Sequence, residues 1–193
     1  MIPSYLNDLD LDKVFETYTS TPDLYLEESD KNEHIVDSES QKISGFVSPS
    51  FGSQEDRANK FFAVENTSAC QYALLKIDNG LIQTEKTKKC DCAIVNRKEM
   101  CFIEFKANAT SLVRKTVVGN YLKAIEQLST TIRIFNNYYA TIGTDIKSLR
   151  KVEAYVCFRA GYPRSTASQM NYKLKFMARN GGITLAFERK KTF

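Results

Sequence analysis

No proline falls between Pro49 and Pro163, and this absence constrains the chain more than any other single feature. Proline removes a backbone donor and ends helices and central strands. Residues 50–162 can therefore carry an unbroken run of hydrogen-bonded elements, and most of the core is expected there. Ser53 suits an N-cap, Gln54, Glu55 and Asp56 suit a first turn, and RANKFFAVE continues that helix. YALLKID (72–78) reads as a strand closed by the turn pair Asn79-Gly80. CDCAIV (90–95) and MCFIEFKA (100–107) read as two strands joined at NRKE. A helical pattern follows over 117–139, with Val118, Tyr121, Leu122, Ile125, Leu128, Ile132 and Phe135 on its apolar face. VEAYVCF (152–158) is a further strand, 168–179 a helix stopped by Gly181-Gly182, and ITLAFER (183–189) a last strand. The order α-β-β-β-α-β-α-β predicts an α/β fold, a mixed sheet flanked by helices.

Charge divides the chain differently. Residues 1–40 carry eleven acidic side chains against Lys13 and Lys31, a net −9, so the remainder carries +13. Ser20 to Gly52 is rich in Ser, Asp, Glu and Gly, with LDKVFETY before it able to form a short helix. The expected division is an acidic, partly irregular arm over 1–52 and a basic domain over 53–193. A body at +13 attracts nucleic acid through counterion release, and the arm can fold back on it or meet a partner protein. No apolar run reaches the roughly 20 residues of a membrane span, and the N-terminus lacks a signal-peptide pattern. A cytoplasmic protein with no membrane partner is expected.

The residue inventory excludes much chemistry. His34 is the sole histidine and lies in an acidic, loop-like stretch, which argues against serine triads and histidine-ligated metal sites. Phosphate-loop and dinucleotide glycine motifs are missing. Five cysteines, Cys70, Cys90, Cys92, Cys101 and Cys157, form no secreted disulfide pattern. Cys90-x-Cys92 with Cys101 resembles part of a zinc site, but strand alternation favours reduced core thiols.

The hairpin carries the chemistry. Alternation places Cys101, Ile103 and Phe105 on one face of their strand and Phe102, Glu104 and Lys106 on the other, with Asp91 joining the latter if the register matches. Carboxylates and a lysine inside apolar strands are costly to bury unless they pair or hold a metal. Two carboxylates one strand apart suit a hard ion such as Mg²⁺. The competing reading is a cross-strand Asp91–Lys106 ion pair with Glu104 solvated at an edge.

A strand Asp followed by Glu-x-Lys on the next strand resembles the PD-(D/E)XK nuclease superfamily, through Asp91 within KKCDCAIV and Glu104-Phe105-Lys106 within FIEFK. The element order over 53–158 is similar to that family's αβββαβ restriction-endonuclease-like core. Cys90 stands where the motif name has proline, a position that varies in the family. The resemblance implies Mg²⁺-dependent (Mn²⁺ as substitute) hydrolysis of DNA phosphodiesters. Asp91, Glu104 and the Phe105 carbonyl would hold the ion, and Glu65 of the preceding helix would assist a second. Lys106 would orient water, with Gln127 of the following helix positioning it. The bland readings are a surface-helix Glu65 and a solvated Gln127. Lys88, Lys89, Arg97, Lys98, Arg114 and Lys115 are the expected phosphate contacts; Tyr138 and Tyr139 stack on bases or seal the core. RNA is the alternative substrate, a homodimer would suit double-strand cutting, and a non-catalytic module binding nucleic acid or protein is the alternative function.

Overall fold

The computed structural model describes residues 1–48, 51, 60–159, 161–162 and 166–193. Three layers make up the molecule: helices, a six-stranded sheet and a four-stranded sheet. The larger sheet has the order β1 (Leu26–Ser29), β5 (Tyr72–Lys76), β6 (Cys92–Val95), β7 (Glu99–Lys106), β8 (Lys151–Phe158), β9 (Thr184–Ala186). Its first four strands are mutually antiparallel, whereas β7, β8 and β9 run parallel. The smaller sheet has the order β10 (Lys190–Thr192), β4 (Phe62–Glu65), β2 (Glu33–Ser38), β3 (Ile43–Phe46), with only β10–β4 parallel. This is a mixed α/β fold with mixed-orientation sheets.

Burial on both faces explains why β6 and the run Met100–Ile103 of β7 are apolar without interruption. One face of the larger sheet, with Ala93, Phe102, Ala154 and Val156, packs under α2 (Arg114–Thr141). The other, with Cys92, Ile94, Cys101, Ile103 and Cys157, packs on Ile35, Phe62 and Val64 of the smaller sheet. Cys92, Cys101 and Cys157 on the strands and Cys90 just before β6 are buried free thiols, and Cys70 is a partly buried one. Along α2 the buried line is Tyr121, Ala124, Leu128, Ile132, Phe135 and Tyr139, the spacing of one helical stripe. Val118 and Leu122 are rotated off that stripe and exposed, against expectation. Two further helices, α3 (Ile146–Leu149) and α4 (Thr166–Arg179), flank β8.

Two expectations need correction. FFAVE is not helical: Phe62–Glu65 is strand β4, alternating buried and half-buried, because it pairs with β2 and with β10 from the far end of the chain. The capping residues Ser53 to Asp56 lie outside the described residues. The acidic segment is no irregular appendage either. It supplies β1, β2 and β3, while a 3₁₀ turn (Ser4–Leu9) and α1 (Leu11–Val14) bury Leu6, Leu9, Leu11 and Phe15 against α2. Phe15 meets Phe135 edge-on at 5.3 Å, and Tyr139 donates to the Leu9 carbonyl at 2.9 Å. Several of its acids engage the rest of the molecule. Asp8 takes a two-pronged pair from buried Arg150 at 2.6 Å on each oxygen. Arg150 also donates to the carbonyls of Asn96, Leu149 and Tyr5, so all five of its N–H groups are satisfied. Among the described residues no helix is long and apolar enough to cross a membrane.

Candidate active site

Asp91 precedes β6 by one residue, and the pairing of Cys92 with Ile103 sets it opposite Glu104 on the face under α2. The register that the sequence left conditional is therefore the one that unites Asp91 with Glu104. Backbone bonds lock this position. The Asp91 carbonyl accepts from Ile77 and Asp78 N–H at 3.0 and 3.1 Å, and its carboxylate accepts from Phe105 N–H. The Phe105 ring is buried between the sheets.

Lys106 Nζ pairs with Glu104 Oε1 and donates to Gln127 Oε1 at 3.0 Å. Gln127 Nε2 donates to the Lys89 carbonyl at 2.9 Å, and one turn on, the Thr131 hydroxyl accepts from Cys90 N–H at 2.9 Å. Gln127 is thus no solvated helix residue: it ties α2 to the chain leading into β6 beside Asp91 and fixes the lysine head.

The electrostatics are those of a site short of positive charge. Burial, with repulsion from Glu104, pushes the Asp91 carboxyl well above its ordinary range. Burial likewise lifts Glu104 to about 7 against the pull of Lys106. For Lys106 burial acts downward, but Glu104 and Asp91 outweigh it and hold the ammonium above its ordinary value, so it is a cation at neutral pH. Two acids that sequence reasoning missed act on the same centre. Asp37 of β2, itself raised by burial, destabilises the charges on Asp91 and Glu104, and Asp78 acts on Glu104. Asp37 sat within the presumed arm, and only the fold of the smaller sheet onto the larger brings it here. Glu104 Oε2 is buried with no hydrogen-bond partner among the described residues. A carboxylate oxygen left bare inside a group of acids is what a divalent cation satisfies, so the donor set fits the ion that the resemblance implies.

Other expected residues fall elsewhere. Glu65 lies on β4, one residue beyond the Val64–Glu33 pair that ends its antiparallel register with β2, at the end of that strand away from Asp37; it pairs with Lys190 at 3.1 Å. Lys89 is buried and holds Asp78 at 3.0 Å and the Thr84 carbonyl at 2.8 Å, so it braces the site instead of facing solvent. Lys88 is exposed, pairs with Glu126 at 2.8 Å, and lines a cleft of about 290 Å³ with Asp78, Asn79, Lys123 and Gln127. Arg97 and Lys98 sit at the β6–β7 tip, roughly 20 Å from Glu104 at strand rise. Arg114 and Lys115 open α2, about 20 Å along the helix from Gln127. Tyr138 bonds Asp10 at 2.8 Å, and like Tyr139 it serves the N-terminal packing.

A second acidic group, Glu99, Cys101 and Glu153, has its ligand atoms within 4.8 Å of one another. Lys191 is already seated on both carboxylates, and burial keeps the Cys101 thiol protonated. These residues form an ion-pair cluster.

No protein-family model matches the sequence, and comparisons with curated proteins and with solved structures find no match.

Proposed function

We propose that this protein is a metal-dependent nuclease of the PD-(D/E)XK type that hydrolyses phosphodiester bonds in DNA. The observation that carries the reading is the linked group Asp91, Glu104, Lys106 and Gln127 around a buried, unpartnered Glu104 oxygen. The order β5-β6-β7-α2-β8, three antiparallel strands and a helical crossover to a parallel fourth, supports the restriction-endonuclease-like core.

Asp91 and Glu104, with the Phe105 carbonyl, would hold Mg²⁺ or Mn²⁺. When bound, such an ion polarises the scissile phosphate and acidifies a water. Lys106 stays protonated, so it acts as a hydrogen-bond donor and positive charge beside the reacting phosphate and not as a base. Gln127 restricts the lysine head to one direction. Asp37 adds negative charge that favours cation binding. Lys88 and Lys123 at the cleft would meet backbone phosphates without reading sequence. Action against foreign DNA, on mobile elements or in repair follows from the family resemblance alone.

The test is cleavage of single-stranded, linear and supercoiled DNA, and of RNA, with Mg²⁺ or Mn²⁺, by wild type and Lys106→Ala. Metal-dependent cutting lost in the variant is the expected result. Equal cutting by both proteins overturns it, and no cutting moves the assignment to a non-catalytic module of the same fold.

A further inference from the structure

A second cavity, of about 270 Å³, lies across α2 from the candidate active site, between α2, α3 and the end of α4. Its walls carry three cations, Arg133, Lys147 and Arg179, against one carboxylate, Asp145. That carboxylate is engaged locally. It caps α3 by accepting from Lys147 N–H at 2.8 Å, and its other oxygen lies 3.6 Å from Lys147 Nζ. The ammonium is fixed in the wall by a 2.7 Å bond to the Gly181 carbonyl. Gly181 sits at φ +62°, and an added Cβ would come within 3.1 Å of that nitrogen, so glycine is what allows the approach.

Among the described residues neither Arg133 nor Arg179 makes an ion pair within 4.0 Å: Arg133 bonds Thr130 Oγ1 at 3.5 Å, and the carboxylate that acts on both, Glu126, does so without direct contact. A concave site with two guanidinium groups whose forks hold no carboxylate attracts an anion, and the planar fork matches phosphate oxygens. Asn136 adds a buried Oδ1 with no donor, a place for a hydroxyl next to the phosphate.

We propose that this cavity binds a backbone phosphate of the nucleotide strand whose scissile bond lies at Lys106. The identity of the ligand rests on the nuclease reading; the cation-lined cavity does not. Glu126, on the ridge of α2 between the two clefts, is acted on by Lys88 from one side and by Arg179 and Arg133 from the other. Gln127 and Arg133 are separated by about 9 Å of helix rise, within reach of a strand of two or three nucleotides.

The experiment is fluorescence anisotropy of labelled single-stranded oligonucleotides, four and twelve nucleotides long, in Ca²⁺. It compares wild type with the double variant Arg133→Ala/Arg179→Ala and with Lys147→Ala, and uses inorganic phosphate as competitor. Both arginines are exposed, so the fold should persist; an unchanged Mn²⁺-induced thermal shift confirms it. The expected result is a loss of tenfold or more in affinity for the twelve-mer in the double variant. Its salt dependence becomes shallower, and the four-mer is little affected. Wild-type affinity in the double variant overturns the cavity while leaving the nuclease reading intact, whether or not inorganic phosphate binds. A wild type that binds no oligonucleotide overturns both.

Discussion

At the residue scale, the buried acids are more useful to a ligand than to the fold. Burial and repulsion from Glu104 both disfavour the charged form of Asp91. In Asp91→Asn the amide oxygen can still accept from Phe105 N–H, while the charge is gone. We expect the metal-free variant to gain about 1–2 kcal/mol, a rise of roughly 2–8 °C in melting temperature for a chain of this length. The stabilisation by Mn²⁺ expected of wild type should disappear. Melting curves with and without Mn²⁺ check both parts, and a lower melting temperature in the metal-free variant would show that the charge serves the fold.

Glu153 shows the opposite case. Burial raises its pKa, but Lys151 and Lys191 outweigh this and bring it to about 2, from 4.5. A carboxylate depressed in the folded state stabilises it fully above pH 4.5 and loses that contribution as the pH falls toward 2. Glu153→Gln should therefore lower stability by about 2 kcal/mol at pH 7, with the gap to wild type closing below pH 4. Denaturant titrations across this range decide it; a gap independent of pH would assign the loss to packing.

At the element scale, α2 is the part that makes a site out of a hairpin. Its apolar stripe covers the larger sheet, and Gln127 and Thr131 bond the chain entering β6. Gln127→Leu leaves the Lys89 carbonyl unpaired and frees Lys106, at a cost of about 1–2 kcal/mol. If Lys106 acts as proposed, turnover should fall at least tenfold with little change in KM, and Gln127→Glu should restore part of it. A purely structural role would leave kcat unchanged at temperatures where the variant is folded.

At the scale of the whole molecule, the acidic N-terminal segment and the basic remainder are one structure. Charge opposition suggests an arm whose removal frees the DNA-binding face, but residues 1–15 bury six apolar side chains in the main core and Asp8 closes the Arg150 network. Truncation of residues 1–40 should therefore give protein that fails to fold cooperatively, not one that binds DNA more tightly. Arg150→Met, which leaves three carbonyls without their donor, should cost about 3 kcal/mol. Circular dichroism and thermal melts test both; a truncated chain with a sharp native-like transition would restore the arm.

Local pattern alone determined the strands over 72–76, 92–95 and 99–106 and the long helix, because period-2 and period-3.6 alternation is written into contiguous residues. It also placed Glu104 and Lys106 on one face, since that needs only the strand's own pleat. Tertiary structure alone decided three things: that β4 is a strand, that Glu65 lies away from the site, and that Asp37 acts on Asp91. Each depends on pairing between distant segments, β4 with β2 and β10, or one sheet packed on the other. Four residues of Phe-Ala-Val-Glu carry too little periodicity to tell strand from helix. Their burial becomes favourable only once partners far along the chain have arrived, so the local sequence could not announce them.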